Sequence, residues 1–457
     1  MMMRESGGRE SNASLHAVLP AELSQFLNRR SYSLLIKGEA ATGKTILALS
    51  ILKELGAASN YLYLSTRVSP SQLFENHPWL SELPHTEKTE KSDFGEQAEE
   101  VQNQNRFVDA RLDEPVPFFE RITNELMDAR SPTIVLDSWD PIGMMMKDEA
   151  LLSNTKVLQT WRERAEAKII TLIEDSDNTS FDSLFDGVIT LDRYYEDGRV
   201  VRMLQLSKLS GVKVTRPSYL FTLDGGIFQS FRTQSPLEIE AQKSPGWSWE
   251  RRTRSTGHSE LDAILDGTLP SGTLVHLNVT SGVNSGTVLL LLSGILGRGG
   301  PRSRAMFFRP FEGIGLEKAS AALGEVIPIR QATPRRGSNG SGTWAESLKD
   351  LVKRQRGAKR GQKIVAVVGS DFLLNAGGEE DREALLELMK SEIDLSVLVS
   401  DSETPLESGA RAADVSLRLS DINGTPLLEG QLPWTEYFVI TANALNGTLT
   451  LRLVPMV

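Results

Sequence analysis

Residues 38–45 read GEAATGKT, with Gly38, Gly43, Lys44 and Thr45 at the spacing G-x-x-x-x-G-K-[ST]. That pattern is built for phosphate chemistry. Glycines let successive backbone N–H groups turn onto an anion, and the helix that follows adds its positive end at the same point. Gly38, Glu39, Ala40, Ala41, Thr42 and Gly43 then form the cradle, with Lys44, Thr45 and Ile46 opening the helix. Lys44 is placed for the β and γ phosphates, and the Thr45 hydroxyl for Mg²⁺. A second stretch, SPTIVLDSWDPIG, is an apolar run closing on Asp137, a carboxylate suited to the same metal. The expected ligands are ATP and Mg²⁺. The bland alternative, a strand-to-helix turn with an incidental lysine, gives the two glycines no packing role.

These side chains need elements to hold them. YSLLI before the loop reads as a buried strand and TILALSILKEL after it as an apolar helix, the order that phosphate binding requires. NYLYLSTRVSP follows as a second strand with a turn, and KIITLIEDSD as a later strand. DGVITLDRYYEDGRVVRMLQLSKLSG reads as a hairpin turning at Asp197 and Gly198. Strands alternate with helices early and pair locally late, which predicts a mainly parallel, helix-covered sheet with an antiparallel edge. Residues 82–114 are almost wholly polar and read as an insertion or lid, with a solvated excursion as the alternative. Met144, Met145 and Met146 read as buried gap-fillers, an adaptable contact surface being the alternative.

The chain has 457 residues, enough for two or three domains with proper cores. It has no cysteine, which excludes disulfides and thiolate metal sites, and its 5 histidines show no paired spacing for zinc. The formal net charge of −10 is modest for this length. The polar start, MMMRESGGRESNAS, lacks an apolar signal core, and no apolar run approaches membrane-spanning length, so a cytoplasmic protein with no membrane partner is expected.

Residues 233–254, with two prolines and no clean period, read as a linker. Beyond it the first pattern returns. TLVHLNVTSGVNSGTVLLLLSGIL repeats strand, loop and helix; KIVAVVGSDFL echoes TIVLDSWDPI; DLSVLVSDSETP echoes KIITLIEDSDNT. Two tandem copies of one α/β fold follow: residues 1–30 as tail and lead-in, 31–232 as the nucleotide-binding domain, and 255–457 as a degenerate copy.

LQLSKLSG followed by YLFTLDGGIF, together with STGHSELDAILDGTLPSGTLVHLNV, resembles the KaiC-like branch of the RecA superfamily of P-loop ATPases. The resemblance covers roughly residues 31–457. It implies two RecA-like P-loop cores that assemble side by side, with ATP between neighbouring subunits, and hence a homo-oligomer. It also implies that Lys208, on a late strand, reaches the neighbour's nucleotide.

Three departures shape the functional expectation. Family members end the strand after the phosphate loop in acidic residues that activate water, whereas Ser65, Thr66 and Arg67 stand here; such a group is worth about 10²–10⁴ in rate. Glu174 or Asp175, at a later strand end, is the substitute, with a structural role as the alternative. Ser210 stands where an arginine accompanies the family's lysine. In the second copy, aligning TSGVNSGT with GEAATGKT sets Gly286 opposite Lys44, and Gly369 stands opposite Asp137, so that domain is expected to hold no nucleotide. The expected function is a KaiC-like regulatory ATP-binding protein with one competent site, slow or partner-dependent hydrolysis, and nucleotide-dependent assembly or binding of a protein partner. The alternative is a recombinase-like DNA-binding ATPase. For it speak Lys349, Lys353, Arg354, Arg356, Lys359, Arg360 and Lys363; against it stand the acidic balance and the lack of interleaved aromatics.

Overall fold

The computed structural model describes residues 18–56, 60–83, 106–129, 131–174, 179, 181–232, 269–296, 303–308, 326–328, 344–357, 363–375, 378–401, 407–445 and 448–457. They fall into two compact units that divide between Arg232 and Thr233. The expected linker, the N-terminal tail to residue 17 and residues 84–105 of the expected insertion lie outside the described residues.

In the first unit the strands are β1 (Tyr32–Lys37), β2 (Tyr61–Ser65), β3 (Arg106–Asp109), β4 (Thr133–Asp137), β5 (Lys168–Ile173), β6 (Gly187–Glu196), β7 (Arg199–Leu209), β8 (Ser218–Thr222) and β9 (Gln229–Ser230). They form one sheet in the order β3-β2-β4-β5-β1-β6-β7-β8-β9. Pairing is parallel from β3 to β6 and antiparallel from β6 to β9. The helices are α1 (Ala21–Leu27), α2 (Lys44–Leu55), α3 (Pro70–Asn76), α4 (Pro115–Asp128), α5 (Asp140–Met144) and α6 (Asp148–Ala165).

All six residues of β1 are buried, as expected of a parallel strand covered on both faces. Successive side chains serve opposite layers. Leu34 and Ile36 join Leu47 and Ile51 of α2, while Leu35 joins Phe118 and Ile122 of α4 and Leu158 of α6. Asp197 and Gly198 turn the β6–β7 hairpin, both at positive φ.

Two expectations are corrected. Within the stretch read as a polar insertion, residues 106–109 are an edge strand: they pair with β2, and the Phe107 ring packs on Tyr61, Tyr63 and Phe74. The open edge of β2 supplies hydrogen bonds that overall polarity does not reveal. Met144 and Met145 are exposed rather than buried, because α5 is too short to cover them; Met146 does pack against the core.

The second unit contains β10 (Thr273–Val279), β11 (Ser303–Phe308), β12 (Val326–Pro328), β13 (Lys363–Gly369), β14 (Leu395–Asp401), β15 (Val415–Ile422), β16 (Thr425–Leu432), β17 (Trp434–Leu445) and β18 (Thr448–Pro455). Their order, β12-β11-β13-β14-β10-β15-β16-β17-β18, repeats that of the first sheet strand for strand. Its helices are α7 (Ser285–Leu296), α8 (Trp344–Gly357), α9 (Ser370–Leu374), α10 (Glu379–Glu392) and α11 (Glu407–Ala412). Among the described residues no helix is long and apolar enough to cross a membrane.

Candidate nucleotide site

The phosphate loop leaves β1 at Lys37 and enters α2 at Lys44, with Gly43 as its N-cap. Gly38 has φ +152° and Gly43 φ +105°, conformations that L side chains rarely adopt. Space forbids a side chain as well. A Cβ on Gly38 would stand 2.4 Å from the Leu191 carbonyl oxygen, and one on Gly43 2.8 Å from the Leu223 side chain. Lys44 is buried, and its ammonium donates to the carbonyls of Gly38 (2.6 Å) and Glu39 (2.8 Å). Thr42 ties the same turn by donating to the Glu39 carbonyl at 2.9 Å.

β4 delivers Asp137 to this loop from across β5. Its carboxylate accepts from the Thr45 hydroxyl at 2.8 Å and from the Tyr63 phenol. Burial raises the Asp137 pKa above the usual carboxylate value, with those two donors and the positive charges of Lys44 and Arg67 opposing the rise. Burial lowers the pKa of Lys44, against the pull of Glu174, Asp140 and Asp137. These residues therefore share one electrostatic centre.

At the end of β2 the Thr66 hydroxyl accepts from Ser138 N (2.9 Å) and donates to Ser138 O (2.8 Å). Arg67 forms an ion pair with Glu174, just past β5. The Glu174 amide in turn donates to Asp140 Oδ1 at 3.0 Å. Asp175 lies outside the described residues.

Sequence reasoning overlooked three participants. Tyr63 hides in an apolar strand, where a tyrosine looks like core. Asp140 follows Asp137 by three residues, a spacing that was the available signal. Arg202, on β7, donates to the loop carbonyls of Ala41 (3.0 Å) and Thr42 (3.2 Å), a contact that only the fold creates. Lys208 is not brought to the loop: its ammonium donates to the carbonyls of Asp182 (3.3 Å) and Phe185 (2.7 Å).

The residues present fit a magnesium nucleotide. The glycine cradle has no room for side chains, and Asp140 Oδ2 and Ser138 Oγ are buried without a hydrogen-bond partner among the described residues. No cluster of three or more His, Asp or Glu could hold a metal alone among those residues. Thr45 and Asp137 would instead share Mg²⁺ with phosphate oxygens and water, the usual habit of this cation.

Among the described residues the second unit offers no counterpart. α7 begins at Ser285, and the Asn284 side chain caps it by accepting from Thr287 N at 2.9 Å. Counted from the strand ends Gly286 takes the place of Lys44, and counted from the helix starts Ser285 does; neither carries charge. Gly369 ends β13 as Asp137 ends β4. Of the basic run, Lys349, Lys353, Arg354 and Arg356 lie on α8, while Lys359 and Arg360 lie outside the described residues. Arg356 is engaged by Glu392 and Asp394 at 3.8 and 3.7 Å.

A glycine-cradled loop opening a helix, a lysine inside it and a threonine bonded to a strand-end aspartate define a P-loop domain of the nucleotide-binding ATPase class. Residues 23–207 match the family profile described as GvpD gas vesicle protein, P-loop domain. The chain is 29% identical over 284 residues to Protein GvpD1 of Halobacterium salinarum, an alignment covering 57% of this chain and 50% of that protein. Against Protein GvpD2 of the same organism the identity is 26% over 285 residues, covering 58% and 55%. The chain thus spans about half the length of these curated relatives.

Proposed function

We propose that this chain is a nucleotide-binding regulatory protein of gas vesicle formation, with one competent Mg·ATP site in its first unit. The observation that carries the reading is Lys44 folded onto the loop carbonyls and Thr45 bonded to Asp137 in the first unit, with neither lysine nor carboxylate at the matching positions of the second. The link to gas vesicles rests on the family profile and on the relatives' names.

A RecA- and KaiC-like organisation is supported by the strand order, in which β5 separates the loop strand from the aspartate strand, and by its repetition in the second unit. Regulation rather than rapid turnover is supported by the end of β2, which carries no carboxylate and ties Thr66 to Ser138. Hydrolysis is then slow or dependent on a partner, and occupancy sets assembly with further copies or with a protein partner, as a γ-phosphate can order nearby segments.

The test is calorimetric titration with Mg·ATP, following oligomeric state in parallel. One site per chain is expected, and Lys44→Ala should abolish it. Two equivalent sites, or none, would overturn the reading. In cells that form gas vesicles, Lys44→Ala should alter vesicle content at unchanged protein level; an unaltered content would remove the regulatory role.

A further inference from the structure

The Arg67–Glu174 pair lies near enough to Lys44 for both charges to act on its ammonium. β2 and β5 flank β4, so the two residues close a bridge over the strand end that delivers Asp137. Strands β2 and β5 are about 9–10 Å apart, two spacings of about 4.8 Å, a gap that the pair spans just past the strand ends. Lys44, which the sequence motif assigns to the β and γ phosphates, feels Glu174 and Arg67 as well as Asp137.

Both ends of the bridge rest on fixed backbone. Thr66 is tied to Ser138 in both directions, and the Ser65 hydroxyl donates to the Val68 carbonyl at 2.6 Å, so the chain is held on either side of Arg67. Glu174 is held through its amide by Asp140. The side chains themselves are accessible, with 47% of Arg67 and 32% of Glu174 exposed. Exposed ion pairs of this kind contribute little to stability, so parting them costs little. A phosphate matches the guanidinium fork bidentately, as a carboxylate does, and carries more negative charge than the single charge of Glu174.

Charge points the same way. Asp137, Asp140 and Glu174 set three carboxylates against the two cations Lys44 and Arg67. A γ-phosphate entering this centre brings further negative charge beside Glu174, and Arg67 is the exposed cation that can turn to meet it.

Resting on the P-loop reading of this site, we propose that Arg67 and Glu174 form a sensor in cis: Arg67 exchanges Glu174 for the γ-phosphate, so that the chain separates ATP from ADP. No covalent step is involved. Arg67 confers affinity for the terminal phosphate, and Glu174 sets the threshold by competing for the guanidinium.

The experiment is calorimetry on the full chain with Mg²⁺ and either ADP or a non-hydrolysable ATP analogue. Arg67→Ala should weaken the analogue at least tenfold, about 1.4 kcal/mol, while changing ADP affinity less than about threefold. Glu174→Gln, which frees the guanidinium and removes a like charge, should tighten the analogue and leave ADP nearly unchanged. Arg67→Lys should recover only part of the loss, because an ammonium lacks the planar fork. Equal losses for both nucleotides, or no change in either, would overturn the sensor while leaving the P-loop reading intact. A wild-type chain that binds neither nucleotide would overturn both.

Discussion

Asp137 is a buried carboxylate with two donors, Thr45 and Tyr63, in the field of Lys44 and Arg67. Its folded pKa lies above the ordinary value, so raising the pH through that range ionises it at a cost to stability, which bound Mg²⁺ would relieve. With Mg²⁺ bound as proposed, proton and metal would compete for this carboxylate. The Mg²⁺ dependence of nucleotide affinity should weaken as pH falls, at a pH above the usual carboxylate range, and Asp137→Asn should lack the dependence altogether. Metal titrations across a pH series check this; a dependence that persists undiminished into the ordinary carboxylate range would contradict it. Tyr63→Phe removes one donor from the same oxygen and should cost about 1–3 kcal/mol of stability in thermal or denaturant melts. Lys44, Thr45 and Asp137 were legible in the sequence because phosphate chemistry fixes both residue type and spacing. Tyr63 and Asp140 were not, since an inward tyrosine on a strand and an acidic residue opening a helix each have commoner structural uses.

The elements around the site are pinned by polar contacts that only folding brings together. Arg202 of β7 holds two carbonyls of the phosphate loop, although 160 residues separate it from Thr42. Arg202→Met should leave those carbonyls without the guanidinium, lower stability by about 1–3 kcal/mol and weaken nucleotide binding, with melting and calorimetry as the readouts. α1 is fastened in the same fashion. Glu22 accepts from Tyr219 (2.6 Å), Thr215 (2.7 Å) and the Arg216 amide (3.3 Å). Burial acts to raise its pKa, but these donors outweigh it and bring the carboxyl down to about 2. Because the folded value is depressed, this stabilisation is complete above the ordinary glutamate pKa and is lost as pH falls towards about 2. Acid melts of Glu22→Gln should show a shallower loss across that window than the wild type. The hairpin at Asp197 and Gly198 was plain in the sequence, because its turn demands positive φ from residues that tolerate it. β3 was hidden, because four residues carry too little periodicity to stand out from a polar neighbourhood.

At the scale of the whole chain, one strand order occurs twice, while the charges of Lys44 and Asp137 have no match at Ser285, Gly286 or Gly369. Val288, Leu291 and Leu292 of α7 are fully buried against β10 and its neighbours, each contributing about 1.5–3 kcal/mol, which explains why the apolar pattern survived where the charges did not. That pattern made the repeat legible; the start of α7 at Ser285 is set by a local contact, the Asn284 cap. A chain ending at residue 232 is expected to fold, to bind one nucleotide and to lose part of any nucleotide-dependent assembly, which calorimetry and light scattering on the truncated chain would test. β5 has a separate consequence. It pairs with β4 on one side and β1 on the other, while the Thr45–Asp137 bond joins the start of α2, the helix that follows β1, to the end of β4. A ligand that joins the phosphate loop to Asp137 would hold both neighbours of β5 in place and so disfavour its opening. In hydrogen–deuterium exchange, the amides of Ile169–Leu172 should thus become the slowest in the sheet when nucleotide is added, while those of the outlying β3 keep their unliganded rates.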